Sequence, residues 1–456
     1  MIDMTSTAGV ADALGEARAL LNREADDALL RHQWLRRKPA DYTFNVKYYG
    51  GESAGWEEAA RRAAEDLVRA GDYTLYLHYP FCRYLCRFCH YAVKVAPAHG
   101  KPDDTPWLGR LVQNLGMLQS GIEALGECGI SSAYLGGGTP SLLAPATLRQ
   151  LTGLVSGIAR KRPFEFTIES TPDSITPSTA SALADAGCTR ISTGVQILDD
   201  ERLEYFGRGH RSAQALAAVE TLLRTPVMVN VDLMYALPGV ATEKFMDDVL
   251  RISELRPHSI TLYRLRLGRS DERSAALLTE YRRDPSRFPN QREVLLQIVA
   301  ARRMLAALGY REGPLGWFWL PGGESQCYRD RWLRQVPLIG VGMGAYSYGS
   351  SWQWANQRDL AGWSESVNRA QLPVASVVVL SPEEAELRRA ALRLRYDGRL
   401  PLTGVSDELL RSAVTLVESG LAYRVGDEAI LTELGSAFVD EIIDHFFQRG
   451  NSAPPD

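Results

Sequence analysis

The sequence predicts an α/β protein built around a partial (β/α)6 barrel, and two observations support this prediction. Six apolar runs between about residues 73 and 265 alternate with helical stretches: TLYLHY, SAYLGGG, EFTIES, RISTGVQ, VMVNVDLMYAL and SITLYRL. Such runs are typical of strands buried on both faces of a parallel sheet. The chain of 456 residues is also long enough for a large domain with appendages. Six units are too few to close an eight-stranded barrel, so we expect an open one.

The segments on either side of the barrel have different patterns. Residues 10–38 and 56–70 are predicted to be amphipathic helices. After about residue 270 we expect a helix over 290–308, an aromatic-rich loop GWFWLPGGES, and a glycine-rich segment LIGVGMGAYSYGSSWQWANQ that packs against the barrel mouth. A capping box at Ser381 and Glu384 begins another helix. The order helix, short hairpin, helix that follows predicts a small winged-helix-like domain.

The predicted divisions are residues 1–70, an N-terminal helical extension; 71–270, the partial barrel; 271–372, a barrel-capping segment; and 373–456, the C-terminal domain. The last residues, QRGNSAPPD, are predicted to be disordered.

Composition excludes several classes of function. The net charge is −4 and the C-terminal domain mixes acids with bases, so no nucleic-acid partner is expected. No apolar run approaches the ~18 residues of a membrane span, and the N-terminus lacks the features of a signal peptide. We therefore expect no membrane association and a cytoplasmic location.

A cluster of cysteines follows the first predicted barrel strand. Cys82, Cys86 and Cys89 lie within eight residues, in YLHYPFCRYLCRFCHY. A structural zinc site usually needs a second pair of ligands, and the remaining cysteines are single and widely spaced. Three thiolates suit a [4Fe–4S] cluster with one iron left open. The spacing favours that cluster over zinc or over three incidental thiols.

Polar or glycine-rich residues follow several of the other strands. GGGTP (136–140) follows the second strand, Glu169 ends the third, Gln196 ends the fourth, and the fifth carries Asp232. Chemistry in parallel α/β folds lies at the carboxyl ends of the strands. These residues are therefore expected to converge on one rim with the cysteine loop.

The motifs resemble those of a known family. Cys-x3-Cys-x2-Cys after a first barrel strand resembles the signature of radical S-adenosylmethionine (SAM) enzymes. The segments YLGGGTPSLL, IESTPDSIT, GVQILDDERLEYFGRGH and VDLMYALPG resemble the HemN-like branch of those enzymes, in order and approximate spacing. The resemblance covers roughly residues 40–445. It implies a radical SAM barrel and a C-terminal HemN domain.

The resemblance also implies the cofactors and their contacts. A [4Fe–4S] cluster on the three cysteines would chelate one SAM, and a second SAM would share the cavity. Residues expected near the cluster-bound SAM are Tyr76, Phe88, Gly137, Gly138, Thr139 and Glu169, with Phe88 facing the adenine or the second SAM. Residues expected at the second SAM are Gln196, Arg208 and Asp232, and further contacts fall at Arg266 and Tyr346. His78 and His210 are predicted to be structural, and Cys128 and Cys188 to be small core residues.

Departures from the founding member of the branch bear on the reaction. That enzyme, an oxygen-independent coproporphyrinogen III dehydrogenase, has a fourth cysteine where this chain has Tyr91, and its substrate region is only faintly echoed by DYTFNVKYYGG. Heme chaperones of the branch carry a His-Asn-x-x-Tyr-Trp-type motif where this chain reads WANQRDLAGW. The retained second-SAM set favours a class C methyltransferase or cyclopropanase that modifies an unsaturated carbon. Porphyrinogen decarboxylation, heme delivery and another radical SAM reaction are the alternatives.

The implied partners are a small-molecule substrate and an electron donor, either a reductase or a flavodoxin or ferredoxin. A planar aromatic substrate would suit stacking on Trp317, Phe318 and Trp319, and on Trp352 and Trp354. We expect core packing, or a lid without substrate contact, for these side chains in preference to stacking.

Overall fold

A computed structural model of the protein describes residues 7–25, 28–29, 32–35, 51–96, 104–158, 160–267 and 275–447. In chain order the strands are β1 (Glu52–Ser53), β2 (Asp72–Tyr79), β3 (Phe81–Cys82), β4 (Lys94–Val95), β5 (Gly129–Gly137), β6 (Arg160–Ser170), β7 (Arg190–Gln196), β8 (Met228–Tyr235), β9 (Ser259–Arg264), β10 (Arg311–Glu312), β11 (Trp317–Trp319), β12 (Leu338–Val341), β13 (Tyr346–Tyr348), β14 (Trp352–Asn356), β15 (Val374–Val379), β16 (Arg399–Pro401), β17 (Ala422–Val425) and β18 (Glu428–Leu431).

The helices, in chain order, are α1 (Thr7–Leu20), α2 (Trp56–Ala70), α3 (Thr105–Gly121), α4 (Ala124–Glu127), α5 (Pro145–Gly157), α6 (Pro177–Asp185), α7 (Asp200–Tyr205), α8 (Ser212–Leu223), α9 (Thr242–Glu254), α10 (Ala275–Arg283), α11 (Gln291–Ala307), α12 (Gln326–Tyr328), α13 (Leu360–Asn368), α14 (Pro382–Asp397), α15 (Asp407–Glu418), α16 (Glu433–Ala437) and α17 (Val439–Phe447). Among the described residues, no helix has the length and apolar character needed to cross a membrane.

The predicted six-stranded parallel sheet is confirmed. β2, β5, β6, β7, β8 and β9 lie side by side in that order, and each adjacent pair is parallel. Side chains of β2 such as Leu75 and Leu77 are fully buried, as expected for a strand covered on both faces. The sheet does not close into a barrel, which also agrees with the sequence.

Two segments after residue 310 lengthen this sheet. The aromatic stretch predicted as a loop contains β11, which pairs antiparallel with β9. The glycine-rich segment, which we expect to pack against the barrel mouth, forms β12, β13 and β14. β12 runs parallel to β2, and the other two follow antiparallel. β-branched and aromatic residues at alternating positions favour the extended conformation once a sheet edge is available.

The C-terminal region has the predicted order of elements. The Ser381 side chain accepts a hydrogen bond from the Glu384 amide and thereby begins α14, while Gly398 (φ +71°) ends it. α15, the β17–β18 hairpin and α16–α17 follow, and β16 joins the hairpin in a three-stranded sheet. This is the winged-helix-like arrangement, although the boundaries of the four predicted divisions stay predictions.

The N-terminal extension packs against this C-terminal region. Leu21, Ala25 and Leu35 share an apolar core with residues of α14, α15 and α17. The Trp34 ring stacks on His445, with centroids 4.6 Å apart. The segment DYTFNVKYYG, the end of the first predicted helix and the C-terminal tail lie outside the described residues.

Candidate active site

The cysteine loop begins where β2 ends. Cys82 lies in β3, which pairs with β4, and the Cys89 amide donates to the Cys86 carbonyl at 3.1 Å. All three thiols are half-buried, whereas Cys128, Cys188 and Cys327 are buried. The burial of Cys128 and Cys188 confirms that they are core residues.

Two groups from other strands contact the loop's sulfur atoms. The Thr139 hydroxyl donates to Cys82 Sγ at 3.5 Å, and Arg208 Nη1 donates to Cys86 Sγ at 3.3 Å. Burial raises the pKa of Cys82 to about 12, so its thiolate needs a compensating positive charge. Iron would supply that charge, and the adjacent guanidinium suits an anionic thiolate cluster.

The described residues contain no three histidine, cysteine or acidic side chains that converge as ligands of a single metal ion. A cluster places each thiolate on its own iron and so does not require that convergence.

The glycine motif after β5 lies against the cysteine loop. The Gly138 amide donates to the Tyr79 carbonyl at 2.6 Å, and the Thr139 amide donates to the Phe81 carbonyl at 2.8 Å. Gly137 has φ +106°, and a Cβ there would lie 2.5 Å from the His78 ring. Only glycine fits such a close approach, so the motif is more than an ordinary strand-to-helix turn.

Glu169, near the end of β6, is held by β5. Its Oε1 accepts from the Tyr134 hydroxyl at 2.8 Å, and its Oε2 accepts from the Gly137 amide at 3.0 Å. Burial raises its pKa above the ordinary value, although these hydrogen bonds oppose the effect. No ion pair to Glu169 is seen among the described residues, so two hydrogen bonds hold its carboxylate.

Tyr76 and His78 form the wall beside Glu169. The Tyr76 hydroxyl lies 3.1 Å from His78 Nδ1, and His78 Nε2 lies 2.7 Å from the Ala92 carbonyl oxygen. Tyr76 also stacks on Tyr134, with centroids 6.1 Å apart. Because both ring nitrogens of His78 have partners, it has the structural role predicted for it.

Gln196 occupies a strained turn at the end of β7. Its φ is +72°, and the Ile197 amide donates back to the Val195 carbonyl at 3.0 Å, as in a classic γ-turn. Residues held in such a conformation cluster at functional sites. Arg208 lies beside this turn and donates to the Gly194 carbonyl. Arg208 is thus half-buried rather than a surface side chain.

His210 is packed close to this group. Burial, assisted by the positive charge of Arg208, lowers the pKa of His210 to about 4, so its ring is neutral near pH 7. Unlike those of His78, its two buried ring nitrogens have no hydrogen-bond partner among the described residues, so the structural role of His210 stays a prediction.

Asp232, on β8, belongs to a polar network inside the sheet. Its Oδ2 accepts from the Ser192 hydroxyl at 3.0 Å, and its Oδ1 accepts from Asn230 Nδ2 at 2.7 Å. Burial, together with the nearby negative charge of Glu169, raises its pKa to about 7. Glu169 and Asp232 lie on β6 and β8, the two strands that flank β7 in the sheet.

The remaining predicted contacts are those at Phe88, Arg266 and Tyr346. Phe88 packs edge-on against Phe206, with centroids 5.7 Å apart, and is half-buried. Arg266 follows β9, and its charge acts on Tyr91, as does the charge of Glu169. Tyr346 begins β13, beside β12. Their contacts with SAM stay predictions.

Tyr134, Ser192 and Asn230 were not predicted as site residues. Tyr134 is two residues before Gly136, and Asn230 is two residues before Asp232. Since side chains two apart on a strand share a face, polar residues at that spacing could have been included.

The aromatic residues proposed for substrate stacking are buried in the core instead. Trp317, Phe318 and Trp319 are all less than 10% exposed, and Phe318 belongs to the main core. Trp352 and Trp354 stack on each other with centroids 4.5 Å apart, and Trp56 packs edge-on against Trp354. The core packing expected in preference to stacking is therefore confirmed, because these side chains fill the edges of the sheet.

Comparison with known proteins gives the family of this chain. Residues 76–252 match the model of the Radical SAM superfamily. The chain is 32% identical over 275 residues to the heme chaperone HemW of Lactococcus lactis, covering 60% of this chain and 69% of that protein. The chain belongs to the HemN-like radical SAM family.

Two further relatives extend this family match. HemW of Mycobacterium tuberculosis is 28% identical over 374 residues, covering 81% of this chain and 93% of that protein. The structure of coproporphyrinogen III oxidase (HemN) from Escherichia coli has the same fold, with a TM-score of 0.72 at 20% identity, over 90% of this chain and 96% of that one. A [4Fe–4S] cluster and SAM are the cofactors of radical SAM proteins. In this HemN-like chain, Cys82, Cys86 and Cys89 are the residues that would hold the cluster.

Proposed function

We propose that this radical SAM enzyme transfers a methyl or methylene group from a second SAM to an unsaturated carbon of a small molecule. The observation that carries the proposal is the position of Arg208, which bonds both the Cys86 sulfur and the Gly194 carbonyl. Arg208 thereby connects the cysteine loop to the turn that contains Gln196. Asp232, the third residue that resembles the second-SAM set, lies on the neighbouring strand β8, where it pairs with Gly194.

The chain's own residues would bind and orient the two SAM molecules. When bound, the cluster and the first SAM supply a 5′-deoxyadenosyl radical, which requires an electron from a flavodoxin, ferredoxin or reductase. Glu169 oxygens, each with one hydrogen bond already, can accept another from an amino or ribose group. Arg208 offers a planar donor to a carboxylate, and Asp232 offers an acceptor to a cation or a ribose diol.

The proposal is tested by the products of turnover with a competent unsaturated substrate. We expect 5′-deoxyadenosine and S-adenosylhomocysteine in near-equal amounts. With SAM deuterated on its methyl group, label should appear in both deoxyadenosine and product. Unlabelled deoxyadenosine without S-adenosylhomocysteine would instead indicate direct hydrogen abstraction from the substrate, as in porphyrinogen decarboxylation.

A matched pair of variants assigns the second SAM to these residues. Arg208→Ala should suppress S-adenosylhomocysteine more than abortive deoxyadenosine, because the contacts of the first SAM remain. Arg211→Ala removes an exposed arginine three residues away and should leave both products unchanged. Equal loss of both products in Arg208→Ala would assign Arg208 to the cluster or the first SAM instead.

Heme delivery is the second candidate, because the curated relatives include heme chaperones that are similar over most of this chain. The segment WANQRDLAGW, which stands where heme chaperones carry a His-Asn-x-x-Tyr-Trp-type motif, has no histidine. In this segment Trp363 is fully buried and donates to Asn114, and Asn356 donates to the Gly342 carbonyl. Titration with heme, followed by Soret absorbance, tests this candidate. Saturable stoichiometric binding would favour it over methyl transfer.

A further inference from the structure

A cavity of about 360 Å³ lies at the end of the sheet opposite the cysteine loop. It is formed where α2 and α14 meet the start of β12 and the end of β13. Arg334, on its wall, pairs with Asp72, the first residue of β2, whereas the cysteines follow the last residue of that strand. Eight residues of strand separate the two ends by roughly 25 Å. The cavity is therefore separate from the candidate active site.

The lining of this cavity is strongly basic. It includes Arg69, Arg331, Arg334, Arg388 and Arg389, and no acidic side chain among the described residues lines it. Three carboxylates behind the wall pair with two of these arginines: Asp66 with Arg69, and Asp72 and Asp330 with Arg334. The described lining itself therefore presents five guanidinium groups and no carboxylate, which gives the cavity a positive potential.

Several of the arginines are held in place by the protein. Arg388 is only 1% exposed, and its guanidinium lies over the Tyr348 ring at 5.1 Å. Arg331 Nε donates to the hydroxyl of the same tyrosine. Gln335 adopts a left-handed conformation (φ +54°), and its side-chain amide donates to the Arg389 carbonyl. Backbone strain and fixed guanidinium groups are typical of a preorganised binding site.

The size of the cavity limits its ligand. About 360 Å³ is at the small end of the range for small-molecule pockets, and it is larger than one phosphate ion requires. The guanidinium fork matches both phosphate and carboxylate, and several separate forks suit more than one anionic group. We propose that this cavity binds a small molecule that carries two or more phosphate or carboxylate groups.

The test uses calorimetric titration of the full-length, cluster-loaded protein at constant ionic strength. Pyrophosphate is the probe in one arm and citrate in the other. We expect saturable binding of one molecule in at least one arm, and the arm that binds identifies phosphate or carboxylate as the ligand chemistry. Absence of saturable binding in both arms would overturn the proposal.

Matched variants locate the binding. Arg69→Gln combined with Arg389→Gln removes two exposed guanidinium groups from the lining. Asp66, the partner of Arg69, still accepts hydrogen bonds from Ser350 and Trp352, so the variant should fold. This double variant should bind about tenfold to a hundredfold more weakly, as expected for lost charged hydrogen bonds. Arg411→Gln combined with Arg424→Gln removes the same charge from exposed positions of α15 and β17. Equal weakening by both double variants would mean non-specific attraction and would refute the site.

Discussion

Two glutamates on the same face of β6 show how one strand provides both structure and chemistry. Glu165 accepts four hydrogen bonds, from Thr167, Ser325, the Gln326 amide and the cation Arg190. Glu169, four residues further on, accepts two and has no ion pair among the described residues. The pKa of Glu169 is raised by burial. Glu165, whose hydrogen-bonding capacity is filled, stabilises the lower layer of the sheet, by which we mean the layer nearer the amino ends of the parallel strands. Glu169 can still accept hydrogen bonds from a ligand.

The same contrast extends to the neighbouring strands. Arg190, at the lower end of β7, is only 1% exposed and also donates to the Ser259 hydroxyl and the Gly323 carbonyl. Gln196, at the upper end of β7, is half-buried and held with positive φ. We therefore expect lower-layer substitutions to change stability, and upper-rim substitutions to change cofactor binding.

The largest expected effect is at the cysteine loop. Replacing Cys82, Cys86 and Cys89 together by alanine should abolish the cluster, which needs one thiolate for each ligated iron. Anaerobically reconstituted wild-type protein should contain about four irons and show the cluster's visible absorption. Cys128→Ala, at a buried thiol of the core, should keep both signals. A triple variant with a normal cluster spectrum would remove these cysteines from the site.

The next largest effect is expected from loss of the Arg190–Glu165 ion pair in the lower layer of the sheet. Arg190→Met leaves the buried Glu165 without its cation, so the free energy of unfolding should fall by about 3–5 kcal/mol. Denaturant titration measures this loss, and Arg224→Met, at an exposed position, serves as the control. SAM affinity of the folded protein should change little. A large loss of SAM affinity with normal stability would place Arg190 in the SAM site. It would contradict the division between stabilising residues in the lower layer and cofactor-binding residues at the upper rim.

For Glu169 we expect the reverse: a substitution should weaken SAM binding more than it lowers stability. Glu169→Ala should weaken SAM binding roughly tenfold to a hundredfold, because a hydrogen bond to a charged group contributes about 1.5–3 kcal/mol. Its effect on stability should be smaller than that of Arg190→Met, since no buried charge is left unpaired. Equilibrium binding and deoxyadenosine yield measure the effect, with the exposed Glu201→Ala as the control. Unchanged affinity and yield would place Glu169 outside the SAM site.

The parts of the site that follow strand periodicity were predictable from the sequence. Alternation of apolar runs with helices predicted the six strands, and their carboxyl ends predicted Glu169, Gln196 and Asp232 on one rim. Features that depend on a neighbouring strand were not predictable, such as the Tyr134 hydroxyl on Glu169 or the Arg208 bond to Cys86. The strand at Trp317–Trp319 was missed for a related reason. A three-residue aromatic run has no periodicity, and it becomes a strand only because the β9 edge is available.

The smallest expected effect concerns Asp232 and depends on pH. Its pKa is raised from 3.8 to about 7 in the folded protein, so the folded state binds more protons than the unfolded chain between these values. Stability from this group is therefore present below about pH 4 and is lost as the pH rises through 7. Asn at this position does not ionise, and the Ser192 hydroxyl can accept from its amide. Asp232→Asn should thus be more stable than wild type at pH 8 and equal to it near pH 4.

The full displacement of the Asp232 pKa would correspond to about 4 kcal/mol, and solvent access at a half-buried carboxyl should reduce the gain to about 1–2 kcal/mol. Thermal or denaturant unfolding of the protein without added SAM, from pH 5 to 8, measures the trend, and the exposed Asp185→Asn should show none of it. Saturating SAM should then reverse the order at pH 8, since a bound cation would favour the wild-type carboxylate. A variant that remains more stable than wild type with SAM present would show that Asp232 does not contact a cationic group of the second SAM. Asp232 would then bind the ribose diol or, like Glu165, stabilise the sheet.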